Sequence, residues 1–181
     1  MDKICLTTFV YGKKYQAYIP FLLYSCHKAY PNYDFIIFVY GPLDEDIASQ
    51  IDYLHISSKV IIKENAFDDF QNMNPLISKT LRWLLWDDAF NDYDFLYTVD
   101  IDMLYIKEPI SLLEQHKQHA AFLGLPFSNI KRTIKYSCLK PSIFGTMVKR
   151  LGIKHAILNF AFNRSEERLT GLHFVNIKAY Y

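Results

Sequence analysis

The run "DFIIFVYG" at residues 34–41 is apolar at nearly every position. A strand that alternates hydrophobic and polar residues covers one face of a sheet, whereas a continuous apolar strand must be covered on both faces. "KICLTTFV" (3–10), "KVIIKEN" (59–65) and "DFLYTV" (94–99) have the same β-branched, apolar character. Between them lie segments with a helical period. Apolar residues recur at 19, 22, 23, 26, 29 and 30, with Pro20 acceptable in a first turn. "LDEDIASQIDYL" (43–54) places Ile47, Ile51 and Leu54 on one face and acids in its first turn. "PLISKTLRWLLWDDAF" (75–90) predicts a third helix with Ile77, Leu81, Leu84 and Leu85 inward. Strands alternating with helices predict an α/β chain with a Rossmann-like, doubly wound, mostly parallel sheet.

Beyond the fourth strand the reading continues with "MLYI", a short helix opened by Pro109, and a further apolar strand "AAFLGL" (120–125). From 126 to 168 the pattern weakens, and this stretch reads as a variable lobe or long connection. The chain closes on "RLTGLHFVNIKAYY", a strand running onward. At 181 residues, with half of them hydrophobic, the expectation is one domain covering 1–181. The change of pattern at 126 would divide it into 1–125 and 126–181.

The composition narrows the partners. The net charge is +1 and "IKRTIK" (130–135), read as a solvated loop, is the one notable basic cluster, so no nucleic-acid partner is expected. Cys5, Cys26 and Cys138 form no CxxC pattern. They suit a reducing compartment, with Cys5 and Cys26 buried as small apolar residues. No signal peptide or membrane span is legible, so a cytoplasmic protein is expected, with peripheral attachment to a membrane left open.

Asp100 and Asp102 interrupt this apolar pattern at the end of the fourth strand, in "FLYTVDIDMLYI". In a doubly wound sheet ligands bind beyond the carboxyl ends of the strands. Two like charges this close cost stability unless a cation offsets them, and a hard divalent ion, Mn²⁺ or Mg²⁺, is the economical solution. Two chemistries use the device. One is sugar transfer from a nucleotide-sugar. The other is phosphoryl transfer of the haloacid-dehalogenase type, with Asp100 as nucleophile and Asp102 as general acid. The second is disfavoured because here the acids arrive only after three β–α units.

Four stretches in order resemble a GT-A glycosyltransferase, with the greatest similarity to the family-eight galactosyl- and glucosyltransferases. They are "CLTTFVYGKKY", "SKTLRWLLWD", "FLYTVDIDMLYIKEP" and "LTGLHFVNIKAY". The resemblance implies the nucleotide-diphospho-sugar transferase fold and transfer of a hexose, from a donor expected to be UDP-linked, to a glycan or lipid-linked acceptor. It implies that Asp100 and Asp102 chelate Mn²⁺ or Mg²⁺, and that Thr7, Thr8 and Tyr11 meet the base and ribose. Arg82 would reach the donor sugar or diphosphate, and Thr170 and Gly171 would lie beside the sugar. Leu169 stands where the family has Asn, and His173 reads as a core histidine, with a cleft-facing role open. The family's late metal-binding histidine has no counterpart, so the expectation is a pared-down or truncated enzyme. A catalytically idle nucleotide-sugar-binding remnant is the alternative from another class. No residue is assigned as catalytic base.

Overall fold

The computed structural model describes residues 2–70, 72–128, 131–133, 166–168 and 172–180. Its elements run β1 (Ile4–Val10), α1 (Lys13–Gln16), α2 (Ile19–Ala29), β2 (Tyr33–Val39), α3 (Glu45–Tyr53), β3 (Val60–Lys63), α4 (Pro75–Leu81), β4 (Phe95–Val99) and α5 (Leu112–Leu123). After these come β5 (Phe127–Ser128), β6 (Lys131–Thr133), β7 (Glu166–Arg168), β8 (Leu172–Asn176) and α6 (Ile177–Tyr180). Two compact units result, Met1–Ser128 with Gly171–Tyr181, and Asn129–Thr170. Within the second unit β6 and β7 pair antiparallel as a two-stranded ribbon. Lys131–Thr133, expected in a loop, is therefore a strand.

The first unit holds a six-stranded sheet in the order β3-β2-β1-β4-β8-β5. β1, β2, β3 and β4 are parallel, while β8 runs antiparallel to both β4 and β5. The sheet is thus mixed, its parallel part being the part that the β–α alternation announced. Both faces are covered, as the apolar runs require. Leu6, Val10, Phe35, Ile37, Tyr97 and Val99 pack against α2 and α3 on one side. Cys5, Phe9, Ile36, Phe38 and Leu96 pack with Leu81, Leu85 and Phe90 on the other. Helix α2 buries Ile19, Leu22, Leu23, Cys26 and Ala29, the stripe its periodicity predicted.

Two elements differ from expectation. The third helix stops at Leu81, continues as a 3₁₀ turn over Arg82–Leu84, and gives way to extended backbone at Leu85. Asn74 starts it by accepting the amide protons of Leu76 and Ile77 at 2.9 and 3.1 Å. Asp87 then caps a separate 3₁₀ turn by accepting from Ala89 N at 3.0 Å, so the chain restarts instead of continuing. Leu84, expected inside, is 66 % exposed, because the tighter turn rotates it away from the sheet. The second difference is "AAFLGL". Its first four residues finish α5 and do not form a strand. Ser111 caps that helix by accepting from Glu114 N at 3.2 Å, and Gly124, at φ +65°, ends it in the left-handed conformation. The cap signals at both ends override the apolar run that suggested a strand.

Candidate functional site

The strand order creates the site. From β1 the chain winds outward through β2 and β3, then returns to place β4 on the other side of β1. β1 and β4 therefore flank the point where the winding reverses, which is where open α/β sheets bind ligands. Tyr11 follows the end of β1, and Asp100 follows the end of β4.

A tight turn, with Met103 N donating to Asp100 O at 3.3 Å, carries the chain through Asp100–Ile101–Asp102. Ile101 is buried in the core, while Asp100 is half-buried and Asp102 is exposed. Arg82 comes from the 3₁₀ turn on the far side of the sheet rim and forms an ion pair with Asp100 through Nη1. Burial pushes the Arg82 guanidinium below its ordinary value, and the charge of Asp102 acts in the opposite direction. Both carboxylates thus act on one guanidinium. The offset that the sequence assigned to a bound ion is supplied, in part, by a side chain of the protein. Arg82 also lies 4.8 Å from the centre of the Trp83 ring.

Thr7 and Thr8, the expected nucleoside contacts, lie within β1. Both are buried, Thr7 donating its hydroxyl to Ile36 O and Thr8 to Val99 O, each at 2.8 Å. As placed, Thr7 ties β1 to the middle of β2 and Thr8 ties β1 to the end of β4, and neither offers exposed surface. Tyr11 is half-buried; its hydroxyl donates to Met73 O at 3.1 Å and its ring lies 5.4 Å from that of Tyr40. Thr170, Gly171, Leu169 and Cys138 lie outside the described residues.

Trp83, which the sequence reading passed over, and His173, read there as a core histidine with a cleft-facing role open, lie beside this cluster. Trp83 meets His173 edge-to-face at 5.2 Å, and His173 lies 5.8 Å from Phe127. His173 sits on β8 opposite Thr98 of β4, and burial lowers the pKa of its imidazole. The ring of His173 is thereby packed between aromatics one residue removed from Arg82. The only hint in the sequence was a histidine in an apolar strand, and nothing there pointed to Trp83.

The donor set, two carboxylates at one turn, is the hard-oxygen type that Mg²⁺ and Mn²⁺ accept, since such ions take one or two carboxylates and complete their shells from phosphates and water. Among the described residues no group of three or more His, Cys, Asp or Glu side chains converges. Two carboxylates fit an ion only where a ligand completes its shell, and Asp100 already pairs with Arg82. A cleft of about 480 Å³ lined by Phe95, Lys117, Gly124, Phe174 and Asn176 opens at the other end of β4, away from this turn.

The mixed sheet, with its β1/β4 switch point and an antiparallel strand beyond it, gives this chain an α/β fold of the GT-A type. Core-mannan synthase A of Aspergillus fumigatus, in its Mn/GDP form, matches with a TM-score of 0.53 at 10 % identity, over 98 % of this chain and 60 % of that one. The mannosyltransferase Ktr4p of S. cerevisiae in complex with GDP matches at 0.54 and 10 % identity, over 98 % of this chain and 57 % of that one. The galactosyltransferase LgtC, in complex with donor and acceptor sugar analogues, matches at 0.51 and 12 % identity, over 97 % and 58 %. The chain spans less than two thirds of the length of each of these enzymes. No protein-family model and no curated protein matches the sequence.

Proposed function

We propose that the chain is a glycosyltransferase that takes a hexose from a nucleotide-sugar and passes it to a glycan or lipid-linked acceptor. The observation that carries this reading is the Arg82–Asp100 pair at the β1/β4 switch point of a GT-A sheet. Asp100 and Asp102 would hold Mn²⁺ or Mg²⁺. The bound ion would supply positive charge where a nucleoside diphosphate departs. Arg82 would stay within reach of the diphosphate and add a second, fixed positive charge there. Tyr11, at the end of β1, would meet the nucleoside with its ring, while Thr170 and Gly171 would line the sugar. Thr8 would act at one remove, by fixing the strand end from which Asp100 projects. Free, buried thiols at Cys5 and Cys26 support a reducing, cytoplasmic setting; burial pushes the Cys26 thiol up to about 12.

The test is calorimetry with UDP- and GDP-linked hexoses, with and without Mn²⁺. The expected result is binding that requires the ion and disappears in Asp100→Ala and Asp102→Ala. Binding of a nucleotide-sugar that is indifferent to both substitutions removes the proposal. Hydrolysis or transfer assays on the same samples separate an active transferase from a binding remnant.

A further inference from the structure

The ion pair at the acid turn belongs to a longer chain of contacts. His173 sits on β8 opposite Thr98 of β4, and Asp100 follows Thr98 by two residues. From His173 the contacts pass to the Trp83 ring at 5.2 Å, from Trp83 to the Arg82 guanidinium at 4.8 Å, and from Arg82 to Asp100. The four side chains thus start and end on one strand ladder, that of β4 with β8. Phe127 of β5 lies 5.8 Å from the imidazole, so the neighbouring strand braces that ring as well. Adjacency in sequence does not produce the contact between Arg82 and Trp83, because successive residues of a helical turn do not face each other. Nor does Trp83 fill the core. It is 42 % exposed and stands outside both buried clusters, whereas Leu81 and Leu85 on either side of it enter one.

We propose that Trp83 and His173 are positioning residues: the imidazole sets the orientation of the indole, and the indole holds the Arg82 guanidinium on Asp100. A partly exposed ion pair alone leaves a long side chain free to change rotamers, because its attraction is screened and ordering it costs entropy. An aromatic face beside the planar guanidinium removes much of that freedom. The consequence rests on the transferase reading: a departing diphosphate would meet a charge already in place, with no reorganisation left to make. The positioning itself is a property of the free chain.

Side-chain NMR on the full chain, labelled with ¹⁵N-arginine, tests it without any donor. The Arg82 Nε–H signal is assigned by its loss in Arg82→Lys. In the parent chain it is expected to exchange with water more slowly than in free arginine. Trp83→Leu and His173→Ala should speed that exchange about fivefold, and Trp83→Phe, which keeps a ring, should restore most of the protection. Trp83 is exposed, so Trp83→Leu decides the matter if His173→Ala fails to fold in a circular-dichroism melt. Exchange in Trp83→Leu equal to that of the parent, or no recovery in Trp83→Phe, overturns the proposal. So does a parent signal already as labile as free arginine. Calorimetry with a UDP- or GDP-linked hexose and Mn²⁺ gives a second readout. Trp83→Leu should weaken donor binding about fivefold in the parent background and not at all in Arg82→Ala, since the effect runs through the guanidinium. Equal weakening in both backgrounds, the mark of a merely structural role, also overturns it. A parent chain that binds no donor removes the transferase reading and leaves the exchange rates to decide this one.

Discussion

The hydroxyl of Thr8 donates to the carbonyl oxygen of Val99 at 2.8 Å and ties the interior of β1 to the end of β4, one peptide bond before Asp100. Both groups are buried. The bond therefore holds the strand end from which the acid turn departs. Thr8→Val keeps the shape and removes the donor, leaving a buried carbonyl short of one partner. The expected cost is about 1–2 kcal/mol, read as a lower urea midpoint. Thr8→Ser should restore most of it. An unchanged midpoint in Thr8→Val would mean that the bond contributes nothing to the site's foundation.

How far the sequence carried can be judged on the same two strands. Their apolar character, their parallel pairing and the position of Asp100 beyond β4 follow from patterning, because burial on both faces leaves a signature in every residue. The partners of Thr7 and Thr8 do not, since a threonine that bonds a neighbouring strand and one that faces a ligand look alike in one dimension. Arg82 was singled out only through resemblance. Its engagement of Asp100 depends on the helix tightening after Leu81, a change set by Asp87 capping the next turn and by local packing. The mixed sheet was equally hidden, because β8 joins β4 from a distant part of the chain and its direction is fixed by tertiary contacts alone.

If Asp100 and Asp102 hold a divalent ion, as proposed, Arg82 would compete with it for Asp100. Arg82→Ala leaves Asp100 and Asp102 to repel each other, and at neutral pH it should cost about 2 kcal/mol, as expected when one partner of a half-buried pair is removed. Mn²⁺ alone should then raise the melting temperature of the variant by more than it raises that of the parent chain, because the ion replaces the missing cation. Equal responses would show that ion and guanidinium do not share Asp100.

Helix α5 owes its length to its two ends. Ser111→Ala removes the side chain that accepts from Glu114 N and should cost about 1 kcal/mol. Gly124→Ala meets no neighbouring atom, so its penalty is the backbone's alone. A non-glycine residue at φ +65° is expected to lose about 1 kcal/mol as well. The ends are far enough apart for the two losses to add in the double variant, and chemical denaturation measures all three. A Gly124→Ala variant as stable as the parent would place the helix end elsewhere.

His116 gives the fold an acid limit above the carboxylate range. The residue is buried on α5, its ring 5.3 Å from Tyr97 and 5.2 Å from Phe174, with Nδ1 3.1 Å from Ser128 Oγ. That hydroxyl also lies 2.7 Å from His119 Nδ1. Burial lowers the His116 pKa from 6.5 to about 3, and the charges of His119 and His173 push it the same way. Below pH 6.5 the unfolded chain therefore takes up a proton that the folded chain refuses. Stability is complete above that value and falls as the pH drops, by about 1.4 kcal/mol per pH unit, until the folded pKa is reached. The half-buried carboxylates of Asp44 and Asp94, held below 3.8 by Lys13 and Lys178, lose their share only at lower pH. Between roughly pH 6 and 4 the slope belongs chiefly to histidine, with His173 adding to it because burial lowers its pKa too. His116→Leu should reduce the slope of unfolding free energy against pH in that window by one proton's worth, whatever it does to absolute stability. A variant that keeps the parent's slope would show that His116 already carries its proton in the native state.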